Sequence, residues 1–86
     1  MKEDNSILID VRTKDEYEEN HLADAINIPL DKINEKIKDY EEIKIDTNII
    51  VYCKSGIRSS KAANILNKLE YKNIHDLGAI SNCYNE

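Results

Sequence analysis

The sequence predicts an α/β domain built on a mostly parallel sheet of about four strands, with helices on both faces. Three observations carry the prediction. Short apolar, β-branched runs alternate with helical segments in the order strand, helix, strand, helix, strand, helix, strand. No hairpin signal separates any two strands, so each connection is a crossover, and such crossovers are right-handed and place helices on the sheet. One run, Ile49-Ile50-Val51-Tyr52, is continuously apolar, the pattern of a strand covered on both sides.

The elements follow in order. Ile7-Leu8-Ile9 reads as a buried strand ending at Asp10-Val11-Arg12. Thr13-Lys14-Asp15-Glu16 is a capping-box pattern that starts a short, charged helix over about Lys14 to Asn20. Ala25-Ile26-Asn27-Ile28 predicts a second, shorter strand, ended by Pro29. Leu30, Ile33, Ile37 and Tyr40 form an amphipathic stripe for a second helix, with Asp31 as its expected cap. After the third strand and Gly56, the spacing of Ala62, Ile65, Leu66 and Leu69 predicts a third helix. Asn73 to Leu77, before Gly78, gives a weaker fourth strand. No internal repeat is visible.

The bulk properties narrow the function classes. The 86 residues make one domain, 1–86, and 41% apolar with 34% charged residues is an ordinary balance for a folded, soluble chain. A net charge of −5 argues against a nucleic-acid partner. No apolar run reaches the roughly 20 residues of a membrane helix, and the polar N-terminus carries no signal-like stretch. Two cysteines, Cys53 and Cys83, are too few for a disulfide scaffold, so the expectation is a reducing cytoplasm with free thiols. Charge is unevenly spread: residues 1–20 hold seven carboxylates against three basic groups, whereas residues 53–69 hold Lys54, Arg58, Lys61, Lys68 and no acid.

In parallel sheets, ligand sites lie beyond the carboxyl ends of the strands. Asp10, Cys53 and Gly78 stand at such ends, which directs attention to the loop Cys53-Lys54-Ser55-Gly56-Ile57-Arg58. Its thiol emerges from the most buried strand, Gly56 permits an unusual backbone turn, and Ser59 and Ser60 stand near the helix start. The helix N-terminus aims N–H groups at the loop, and a nest of such groups favours a negative sulfur and lowers its pKa. Arg58 is expected to bind loop carbonyls or an anionic substrate.

These segments resemble the rhodanese (thiosulfate sulfurtransferase) family in its compact single-domain form. The likeness runs through Leu8-Ile9-Asp10-Val11-Arg12, Glu16-Tyr17, His21, Ala25-Ile26-Asn27-Ile28-Pro29-Leu30, Ile50-Val51-Tyr52-Cys53, Ser55-Gly56, Arg58-Ser59, Ala62-Ala63, Tyr71, Asn73-Ile74 and Leu77-Gly78. It implies that Cys53 carries a sulfane sulfur as a persulfide, cradled by Lys54, Ser55, Gly56, Ile57 and Arg58. Ser59 supports the loop, and Asp10 with Arg12 matches a strand-end pair of structural character. His21 reads as structural, and His75 has no functional argument. Relative to the family, the chain lacks the usual N-terminal strand and helix and the C-terminal helix, with Cys83 where a tryptophan usually stands. An edge left exposed by that trimming suits a homodimer.

The expected activity is transfer of sulfur from a small anionic donor such as thiosulfate, or from a persulfide, to cyanide or to a small or protein thiol. That chemistry needs no metal or organic cofactor. Two alternatives stand beside it. A small phosphatase suits a cysteine-to-arginine loop at a helix start, but the four residues Lys54 to Ile57 are one fewer than in tyrosine-phosphatase loops. A non-catalytic binding or regulatory module is the other, and such modules tend to lose the loop cysteine that is present here. Cys83 is expected to fill space rather than to resolve the persulfide.

Overall fold

The computed structural model describes residues 6–80. Four strands, β1 (Ser6–Asp10), β2 (Ile26–Asn27), β3 (Asn48–Cys53) and β4 (Asn73–Ala79), form one sheet in the order β2-β1-β3-β4. Every pairing is parallel, as the absence of hairpin signals required. The helix α1 (Lys14–Glu19) joins β1 to β2, and α3 (Ile57–Lys68) joins β3 to β4. The connection from β2 to β3 crosses over β1 and carries α2 (Ile33–Lys36) between 3-10 turns at Leu30–Lys32 and Ile37–Asp39. The register pairs Asp10 with both Asn27 and Tyr52, and Cys53 with Ala79, so the carboxyl ends of the strands meet along one rim.

The strand period of two sorts the side chains onto two faces. Ile9, Val11, Ile49, Val51 and Cys53 face the larger core, closed by Ile33 and Ile37 near α2 and by Ala62 and Leu66 of α3. Leu8, Tyr52 and Ile80 turn the other way, against Tyr17 of α1, Leu22 and Ala25. Helices therefore cover both faces, but unequally: α1 has no fully buried residue.

Three local outcomes differ from the sequence pattern. The stripe from Leu30 to Tyr40 is not one helix but a single α-turn between two 3-10 turns. Asp31 does not cap it: Pro29 holds the cap position and offers no side-chain bond. Without side-chain caps, the tighter turns satisfy the ends through Lys32 N–H to Pro29 and Tyr40 N–H to Ile37 carbonyls. β2 is only two residues long, and β4 extends past Leu77 to Ala79. That extension uses a register shift between Val51 and Tyr52, with Gly78 at φ 84° allowing the irregularity. The expectations about missing terminal elements and about Cys83 fall on residues 1–5 and 81–86, outside the described residues. Among the described residues, no helix is long and apolar enough to cross a membrane.

Candidate active site

Cys53 is the last residue of β3 and is fully buried. Its Sγ accepts hydrogen bonds from the main-chain N–H of Gly56 at 2.9 Å and of Ser59 at 3.3 Å. Gly56, at φ 97°, makes this possible, because a left-handed residue turns the chain back over the sulfur before α3 begins. A side chain there would also meet the backbone of β4, as a Cβ would stand 3.6 Å from the Gly78 Cα. The two glycines of the chain thus face each other across the loop with room for only van der Waals contact by a Cβ. Burial by itself pushes the Cys53 thiol up, but donors from Ser59, Gly56 and Ser55 outweigh it and leave the pKa lowered. The single Ser59 hydroxyl proton has the Gly56 carbonyl as an acceptor at 3.1 Å, so the N–H groups are the fixed contributors. The fold delivers a thiol biased toward thiolate by main-chain dipoles at the start of a 12-residue helix.

Arg58 ends the loop as expected but takes a partner the sequence did not name. Instead of closing on loop carbonyls, its guanidinium forms a fork with Glu16 of α1, Nη1 to Oε1 at 2.7 Å and Nη2 to Oε2 at 3.1 Å. Glu16 is itself held by the capping box: its Oε1 accepts from Thr13 N–H at 3.0 Å, and its own N–H donates to Thr13 Oγ1. Arg58 foremost, then Thr13, hold the Glu16 carboxyl down to about 2. The physical reason for the difference is competition. A carboxylate offers both prongs of the guanidinium a charged acceptor, which a neutral carbonyl cannot match. A cavity of about 240 Å³ opens beside this pair, lined by Val11, Thr13, Pro29, Leu30, Asp31 and Arg58.

Asp10 and Arg12 form a second, deeper ion pair at the end of β1. Arg12 Nε and Nη2 reach the Asp10 carboxylate at 2.7–3.0 Å, and Arg12 N–H adds a main-chain bond. Tyr52 donates its hydroxyl to Asp10 Oδ2 at 2.9 Å and accepts from Leu22 N–H. Arg12 also donates to the Asn20 carbonyl, closing the end of α1, while its guanidinium lies 5.7 Å from the Tyr52 ring centre. Asn27 ties the Asp10 and Arg12 carbonyls together. The network fixes β1, β2, β3 and α1 around the rim without touching the Cys53 sulfur.

The remaining candidates scatter. Lys54, Ser55, Ile57 and Lys61 are exposed, Ile57 at 63%, so the loop presents an apolar tip flanked by lysine. His21 is exposed, stacked on Tyr17 and bonded to its carbonyl, and His75 is exposed on β4. A second cavity, of about 410 Å³, lies away from Cys53 between α1 and α2, beside Tyr17 and Pro29. Sequence reasoning missed two contributors. Outside the family likeness, Glu16 was read as half of a capping box and Tyr52 as part of a covered strand. The surplus of carboxylates in residues 1–20 was the available signal for a partner to the acid-free basic loop.

Comparison with known proteins places this geometry. The rhodanese-like domain profile matches residues 1–83. Thiosulfate sulfurtransferase PspE of Escherichia coli is 38% identical, over 84% of this chain and 68% of that protein. A mitochondrial Schizosaccharomyces pombe protein named for thiosulfate sulfurtransferase is 41% identical over 81% of this chain, which spans 56% of its length. A solved E. coli rhodanese with bound anions superposes with a TM-score of 0.84 at 31% identity, covering 90% of this chain and 89% of its own. The four-stranded parallel sheet, the helices on both faces and these matches agree, and the chain belongs to the rhodanese-like family.

Proposed function

We propose that the chain is a sulfurtransferase that moves a sulfane sulfur through a Cys53 persulfide. The observation that carries the reading is the Cys53 sulfur under the Gly56 and Ser59 N–H groups at the mouth of a helix. The Cys53 thiolate attacks the outer sulfur of a donor, thiosulfate or an organic persulfide. A sulfur–sulfur bond to Cys53 forms as the donor's own bond to that sulfur breaks, and the leaving group, sulfite or a thiolate, departs with the electron pair. A cyanide or thiolate acceptor then attacks the outer sulfur, and the bond to Cys53 breaks to regenerate the thiolate. The N–H groups serve both steps, because the inner sulfur starts and ends as an anion. The relatives named for thiosulfate sulfurtransferase support this reading, and a reducing cytoplasm suits it because Cys53 must stay a thiol between turnovers.

Cys53→Ser tests the assignment. Incubation with thiosulfate followed by intact mass should show one added sulfur on the wild type and none on the variant, and thiocyanate formation should cease in the variant. Alkylation of the wild-type thiol by iodoacetamide should follow a midpoint below the free value of about 8.5. Retained turnover in Cys53→Ser would remove Cys53 from the reaction.

A further inference from the structure

The loop has an arginine in the position expected to attract an anion, yet that charge is already taken. Both terminal nitrogens of Arg58 bind Glu16, whose carboxylate is fixed in turn by Thr13. Arg58 and a Cys53 thiolate interact electrostatically, so what neutralises one is felt at the other. The cavity beside the pair adds an independent observation. Among the described residues, Arg58 is the only basic one in its lining, and Asp31 stands in the same wall. Lys54 and Lys61 are exposed and do not line it. That lining does not include Cys53, so the cavity reports on the Arg58 end of the loop, where an anion meets one neutralised cation and one exposed carboxylate.

We propose that Glu16 is a positioning residue that sets donor specificity: by occupying the Arg58 fork it cancels the cation at the end of the loop and turns Cys53 away from dianions toward less charged sulfur donors, such as organic persulfides. The donor assignment rests on the sulfur-transfer reading. The charge assignment at Cys53 does not.

Glu16→Gln gives the cleanest test, because glutamine keeps the capping box while releasing one positive unit at the site. Alkylation of Cys53 by iodoacetate and by iodoacetamide reports the local field without any sulfur chemistry. The iodoacetate-to-iodoacetamide rate ratio should rise about threefold to tenfold in Glu16→Gln at low salt and shrink toward wild type in high salt. Arg58→Gln should lower the ratio, and the neutral double variant should return to within about twofold of wild type. Thiosulfate loading of Cys53, followed by intact mass, should speed up in Glu16→Gln by a similar factor. A wild-type circular dichroism spectrum and a cooperative thermal transition in Glu16→Gln would show that the fold is unchanged. An unchanged or lower alkylation ratio in Glu16→Gln, or an equal loss of both alkylation rates, would overturn the proposal and leave Glu16 as a strut. If no variant, wild type included, accepts sulfur while the ratio shifts as stated, the sulfur-transfer reading fails and the charge assignment stands.

Discussion

Two arginine–carboxylate pairs lie close to the rim, and they are built for different purposes. In Asp10–Arg12 the carboxylate is fully buried, the guanidinium nearly so, and both are bonded further to Tyr52 and Asn20. In Glu16–Arg58 the side chains are 27% and 31% exposed, and the partners come from α1 and α3. Burial makes the first pair a fixture, since removing one partner strands a charge without water. Water reaches the second pair, so its charge can be changed without losing the fold. The inner pair positions the rim, and the outer pair sets its field.

The largest expected effect breaks the inner pair. Asp10→Asn keeps the shape but leaves Arg12, 4% exposed, without its counter-ion. Stability measured by urea unfolding should fall by about 3–5 kcal/mol, a large part of the whole for a domain of this size. A loss below about 1 kcal/mol would place Asp10–Arg12 in the same class as an exposed pair. Next in size, Arg58→Ala should cost sulfur-transfer activity about 1.5–3 kcal/mol in transition-state stabilisation, because it leaves the Glu16 carboxylate unpaired near the thiolate. Lys61→Ala, a change at an exposed residue, should cost only a few tenths. Equal losses from the two alanine variants would contradict the roles given to them.

The smallest effect sharpens the comparison through pH. Glu16 has its carboxyl held down to about 2 when folded, against an ordinary value of 4.5. A depressed carboxylate contributes stability above its unfolded pKa and loses that contribution as pH falls through the folded value. Acid unfolding followed by circular dichroism should therefore be shallower in Glu16→Gln than in wild type between pH 4.5 and 2. Identical curves would mean that the outer pair adds nothing to the fold.

Much of this was legible before any coordinates. The alternation of patterns specified a parallel sheet, and the Thr13–Glu16 capping box formed as read. Cys53 stood at a strand end because the continuous apolar run Ile49–Tyr52 reads as a covered strand. What could not be read were the pairings between distant segments. Glu16 and Arg58 are 42 positions apart, as are Asp10 and Tyr52, and a single sequence carries no record of which carboxylate a guanidinium selects. The second helical segment was misread for a different reason. Its apolar spacing is correct, with Ile33 and Ile37 both buried, but spacing does not reveal that its uncapped ends tighten into 3-10 turns.

The donors to the Cys53 sulfur lie within six residues of it, in the same turn of chain, whereas Glu16 rides on a helix with no fully buried residue. These two layers of the site are therefore expected to melt separately. Local opening of α1, the kind of sub-global fluctuation that amide hydrogen exchange detects, would carry Glu16 away while leaving the sulfur under its N–H groups. Warming the protein short of its unfolding transition would then act like a partial Glu16 deletion, and the loop's net charge would become a function of temperature.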